Sequence, residues 1–288
     1  MSKVRPFYWS VRRELWENPA IWVAPLAVEA LVLFGYFIFS FHLPHQVAAV
    51  ASGVKLAKGS PTIETPFAVA AGAVFMISFF VAVFYALGAL HNERRDRSLL
   101  FWKSLPVSDL TVVASKAVIP LLVQPVIVTL IAMAAQLIML AWGTVVVGVS
   151  GGDLGLYWSH VHLGMMWVML PYGLVVNALW DVPFYGWLIL VSAWARKATF
   201  VWALGPWLAL MAFEWMSFQT FHVRDLLGSR LFGGFQLAFT IDGKTTIETL
   251  SQVTPMRWLG NPGLWIGLVV GLACFALCVR LRRRNDPI

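Results

Sequence analysis

The sequence predicts an all-helical integral membrane protein with six transmembrane helices. An amphipathic interfacial helix precedes the first, a short basic helix lies between the second and third, and a small extracytoplasmic subdomain separates the fifth from the sixth. Three observations predict this. Of 288 residues, 59% are hydrophobic and 12% charged, about half the 25% or so of a soluble domain. Six apolar runs reach or approach the roughly 20 residues a helix needs to cross hydrocarbon. Fifteen Trp and 20 Phe suit the aromatic belts at the two faces of a bilayer. The chain reads as a single transmembrane domain over 1–288.

Residues 1–19 come first. Phe7, Val11, Leu15 and Trp16 recur at helical spacing and share a face, with Arg12, Arg13 and Glu17 elsewhere. A helix lying in the interface and stopping before Pro19 fits this pattern; a simple basic topology anchor is the alternative. Spans are expected at 20–41, 67–90, 118–147, 166–194, 200–218 and 260–280. The first lacks a small-residue cleavage site and so reads as a retained anchor, not a signal peptide. In the fourth, Pro183 after Asp181-Val182 removes a ladder bond and loosens the helix. The loop 219–258 is long enough to fold locally. Phe235 to Ile241 alternates, and Asp242-Gly243 is a turn dipeptide, which together predict a small hairpin.

Positive charge orients the spans. One set of connections holds Lys3, Arg5, Arg12, Arg13, Arg94, Arg95, Arg97, Lys103, Lys116, Arg196, Lys197, Arg280, Arg282, Arg283 and Arg284. The other holds Lys55, Lys58, Arg224, Arg230, Lys244 and Arg257. Fifteen against six puts both termini in the cytoplasm, with the chain in a plasma membrane of the bacterial inner-membrane kind. The net charge of +7 is then a topology signal and an attraction to lipid headgroups, and nucleic acid is not an expected partner.

Polar residues inside the spans mark either a translocation path and its gate or interhelical hydrogen bonding. Glu29, Asp181 and Glu214 carry the charges, with Gln124, Gln136 and Asn177 beside them. Gly263, Gly267 and Gly271 on the last span permit close helix packing, within the subunit or between subunits. Cys274 and Cys278, one turn apart in the same span, read as small packing residues.

The stretch 91–109 separates two spans with a run of charges and then an apolar body. Glu93, Arg94, Arg95, Asp96 and Arg97 form a two-signed polar edge. Leu99, Leu100, Phe101 and Trp102 follow, then Lys103, and Pro106 ends the helix after Leu105. A rigid rod with a docking surface is what a soluble motor would need to push a membrane domain. The wording Glu93-Arg94, then Leu105-Pro106-Val107-Ser108, with Lys116 opening the next span, resembles the first cytoplasmic loop of type-2 ABC transporter permeases. This chain has Arg97-Ser98 where common members have Gly-Thr.

That resemblance implies a permease subunit that pairs as a dimer and binds two copies of a cytoplasmic ABC ATPase. Loop 91–110 would then be the coupling loop, with Glu93, Arg94, Arg95, Asp96, Leu99, Trp102 and Lys103 at the motor. ATP and Mg would belong to the partner. This chain has no phosphate-binding loop: Gly243-Lys244-Thr245 lacks its first glycine, position 238 being Ala. Drug, peptide, lipid-linked glycan and ion exporters all fit.

Two rivals follow from the residues. An ion-coupled secondary transporter could use Glu29 or Asp181, although no internal repeat supports it. An intramembrane serine protease could use Ser150 of Gly148-Val149-Ser150-Gly151, but residues 260–280 hold no His to act as base. His160 and His162 lack a third ligand, and no metal site or catalytic residue is expected.

Overall fold

The structure, a computed structural model, describes residues 4–52, 63–95, 107–239 and 253–284. These are almost entirely helical. Helix α1 (Val4–Glu17) is followed after a two-residue break by α2 (Ala20–Phe39), which passes through a 3-10 turn into α3 (Leu43–Ala51). Next come α4 (Thr65–Gly88), the short α5 (His91–Arg95) and α6 (Asp109–Val118). A π turn over Ile119–Val123 leads into α7 (Gln124–Val149). Then follow α8 (Leu154–Ser159), α9 (Leu163–Trp180), α10 (Val182–Trp194), α11 (Thr199–Phe218) and α12 (His222–Ala238). The short α13 (Pro255–Leu259) and the long α14 (Pro262–Arg284) close the chain.

Local chemistry sets these boundaries. Pro19 stops α1, and the Asn18 side chain donates to the Glu14 carbonyl at 3.0 Å. Ser108 caps α6, its hydroxyl accepting from the Thr111 N–H at 3.2 Å. The π turn lies where Pro120 and Pro125 each remove a backbone donor. The ladder slips one residue there, so that the Gln124 N–H bonds to the Ile119 carbonyl.

Five stretches, built on α2, α4, α6–α7, α9 and α14, are long and apolar enough to cross a membrane. Large apolar side chains such as Leu31, Phe34, Phe84 and Val269 cover their outer faces, while Glu29, Ser78, Gln124 and Gln136 are turned inward. This arrangement suits a membrane-embedded protein. Inside, Tyr36, Phe67, Met139 and Tyr157 form one core, and Ala86, Val113, Leu188, Ile189 and Cys278 another.

Three expectations need correction. The stretch 166–194 is not one helix but α9 and α10, hinged at Asp181. Pro183, in the first turn of α10, cannot donate back across the join. The third span begins at Asp109, well before 118, because α6 and the π turn continue into α7 without leaving the helix path. Phe235 to Ala238 do not start a hairpin; they complete α12, and Phe239 forms an isolated antiparallel bridge with Val253. The Asp242-Gly243 turn lies outside the described residues. The stretch 200–218 forms α11, which is not among the five membrane-length apolar stretches; Glu214 and three Trp dilute it.

Candidate functional site: a charged knot at one end of the bundle

Four elements converge at one end: α1, α5, α6 and the last turns of α14. Val11 and Leu15 of α1 pack against Ile21, Tyr85, Ala89 and Ile119. Glu14 lies on this same stripe and is therefore buried, 1% exposed. A carboxylate there needs partners. Its Oε1 accepts from Lys116 Nζ at 2.8 Å and from Arg13 Nη2 at 2.9 Å, and its Oε2 accepts from the Tyr85 hydroxyl at 2.9 Å.

Glu93 completes the knot. Its Oε1 faces Lys116 Nζ at 3.0 Å and Arg13 Nη2 at 3.1 Å; its Oε2 accepts from Arg282 Nη1 at 2.6 Å. Arg282 also donates from Nε to Asp109 at 3.0 Å. Arg13 reaches Glu17 at the exposed rim, 3.3 Å away. Burial raises the Glu93 pKa, but Lys116 and Arg282 outweigh it and hold the carboxyl below its ordinary range. Burial likewise lowers that of Arg13, and Glu14, Glu17 and Glu93 reverse the sign.

A second tie lies beside it. Arg94 Nη2 donates to the carbonyls of Ser192 and Ala195, 2.7 Å each. The Ser192 hydroxyl accepts from the N–H groups of Leu90 (2.8 Å) and His91 (2.9 Å). These carbonyls close α10, where a cation meets the negative end of the helix. Together the two ties fix α5, and so the point from which residues 96–106 continue.

The sequence reading took Glu93 and Arg94 as a docking surface. Both are buried, 8% and 6% exposed, and their charged groups bond within the chain. Arg95 is exposed. Asp96, Leu99, Trp102 and Lys103 lie outside the described residues. Trp16, expected to share a face with Val11 and Leu15, is 67% exposed, whereas Glu14 is buried beside them. Glu14, Asp109, Ser192 and Arg282 were missed as site residues. One signal was available, an acid on the apolar stripe of α1.

The polar groups within the helices separate. Asn177 and Asp181 line a cavity of about 60 Å³ with Ser78, Gln124 and Tyr185. Gln124 donates to the Ser78 carbonyl at 2.8 Å, and among the described residues its Oε1 has no partner. Glu29 is buried, and among the described residues neither carboxyl oxygen is hydrogen-bonded. Gln136 is held between helices, accepting from Trp167 Nε1 at 3.1 Å and donating to the Phe67 carbonyl at 3.4 Å. Glu214 closes the turn between α11 and α12, accepting from the Thr220 hydroxyl and from the N–H groups of His222 and Val223, at 2.7–2.8 Å.

The glycine stripe of α14 faces into the bundle. Gly271 lies against Val182, and Gly186 of α10 against Gly271. Arg230 lies over Gly267, donates to the Gly263 carbonyl and stacks on Trp180, its guanidinium 4.7 Å from the ring centroid. Ser150 bonds the Val147 carbonyl at 2.9 Å, and among the described residues no three His, Cys, Asp or Glu side chains group as metal ligands. Comparison with family models, curated proteins and solved structures returns no match.

Proposed function

We propose that this chain is the permease subunit of an ATP-driven exporter of the type-2 ABC class. It works as a pair and is driven by two copies of a separate cytoplasmic ATPase that bring ATP and Mg. The knot end faces the cytoplasm, and no nucleic acid is involved. One observation carries the reading: the loop between the second and third long apolar helices leaves from a base clamped to α1, α6, α10 and α14 at once. A push on such a loop reaches most of the bundle without being lost in local bending. Glu93 and Arg94 act here as positioning residues that hold the rod, and Arg95 with residues 96–103 offers the surface for the motor. Asn177 and Asp181, at the hinge between α9 and α10, are the groups such a push would move.

The test is purification of tagged protein from its native membrane. A nucleotide-hydrolysing subunit is expected to co-purify in equal amount, and crosslinks from Arg95→Cys are expected to reach it. Transport that proceeds without any ATPase and follows the proton gradient would replace this reading with an ion-coupled one.

A further inference from the structure

We infer that the exposed face of α1 is a binding site for an anionic phospholipid headgroup, with Trp9, Arg12 and Trp16 as its clamp. Arg12 follows Trp9 by three positions and precedes Trp16 by four, so the three side chains form one stripe. The Arg12 guanidinium carbon lies over both indoles, 5.1 Å from the Trp9 ring and 4.5 Å from the Trp16 ring. The two rings are 55% and 67% exposed, and Tyr8 beside them 57%. Among the described residues, Arg12 has no carboxylate in ion-pair reach. Its neighbour Arg13 is committed to Glu14, Glu17 and Glu93. Of these two adjacent arginines, Arg13 is therefore used inside the protein and Arg12 is left outside.

A guanidinium stacked on ring faces keeps its in-plane N–H donors, which match a phosphate in paired hydrogen bonds. The neighbourhood selects a lipid phosphate over an acidic soluble protein. Helix α1 ends at Glu17 and the first long apolar stretch starts at Ala20, which sets Trp16 within one turn of hydrocarbon. Exposed Trp and Tyr at that level are headgroup anchors. The opposite face of α1 holds Arg13 and Glu14 in the knot, so a bound headgroup steadies the knot from outside. The inference rests on membrane embedding alone and not on an ATP-driven cycle.

The test uses the full chain in nanodiscs of phosphatidylcholine, with or without one-quarter phosphatidylglycerol, and reads retained lipid by native mass spectrometry. Wild type is expected to retain phosphatidylglycerol preferentially. Arg12→Gln should weaken this roughly five-fold, the effect of one basic side chain near an anionic surface. The Trp9→Ala, Trp16→Ala double variant should weaken it too, and Arg12→Lys, which keeps the charge but not the fork, should fall between. Arg12→Lys also serves as the second variant should Arg12→Gln fold poorly. Equal retention by wild type and both Arg12 variants would overturn the assignment. So would inorganic phosphate displacing the lipid at millimolar concentration, which would mark a free-anion site. Loss of a soluble companion without any change in lipid retention would point to a protein surface instead.

Discussion

Removing the charge of Glu93 takes away the carboxylate that Arg13, Lys116 and Arg282 share and leaves these three cations to Glu14, Glu17 and Asp109. Breaking a buried pair leaves uncompensated charge, and Glu93→Gln is expected to lower stability in detergent by about 3–5 kcal/mol. Adding Lys116→Met should recover part of that loss, because the double variant again matches its buried charges, Arg13 with Glu14 and Arg282 with Asp109. Both are read by thermal unfolding. The same carboxyl sets a pH limit. Its pKa is depressed in the folded chain, so its contribution is complete above the unfolded value. It disappears as pH falls from the unfolded value through the folded one. Wild type should lose stability more steeply than Glu93→Gln on acidification through that range. Glu29 makes the opposite case. Its oxygens are buried and, among the described residues, unbonded, so Glu29→Leu should raise stability by about 1–3 kcal/mol. If it also abolishes transport, the carboxyl is retained for function.

Among the elements, the contact of α10 with α14 depends on two glycines. A Cβ on Gly271 would meet the Val182 side chain at 2.5 Å and its backbone at 2.8 Å. Gly271→Val should therefore cost about 1–3 kcal/mol or more through overpacking. Gly72→Ala, with nothing within 4 Å of the new atom, should be neutral or slightly stabilising. Unfolding midpoints of the two variants separate packing from propensity. The glycine stripe was legible because residue spacing alone places it on one helix face. So was the amphipathic α1, and so was the weak point at Asp181, where Pro183 must omit a bond whatever surrounds it. The stretch after Phe235 misled because alternation over a few residues cannot distinguish a strand from the end of a helix. Here α12 had already begun at His222 and carried through.

Across the whole molecule, hydropathy made the membrane character plain, whereas the knot stayed hidden. Glu14 and Glu93 are 79 positions apart and their cations come from α6 and α14; no local pattern states that such groups meet. A dense run of charges reads as solvated surface until the counter-charges are located. The clamp makes a global prediction: Arg94→Met should speed amide exchange at 91–95 and at the end of α10 together, leaving α2 and α7 unchanged. Exchange confined to 91–95 would mean that the carbonyls of Ser192 and Ala195 do not share the tie. The span of the Arg282–Glu93 pair, 189 positions, also bears on biosynthesis. A ribosome delivers Glu93 long before the arginine that completes its cage, so α5 spends most of translation without it. The early helices must wait, partly assembled, for the last one to insert, and a chain stalled before that moment would present the quality-control machinery with an open, acid-lined seam.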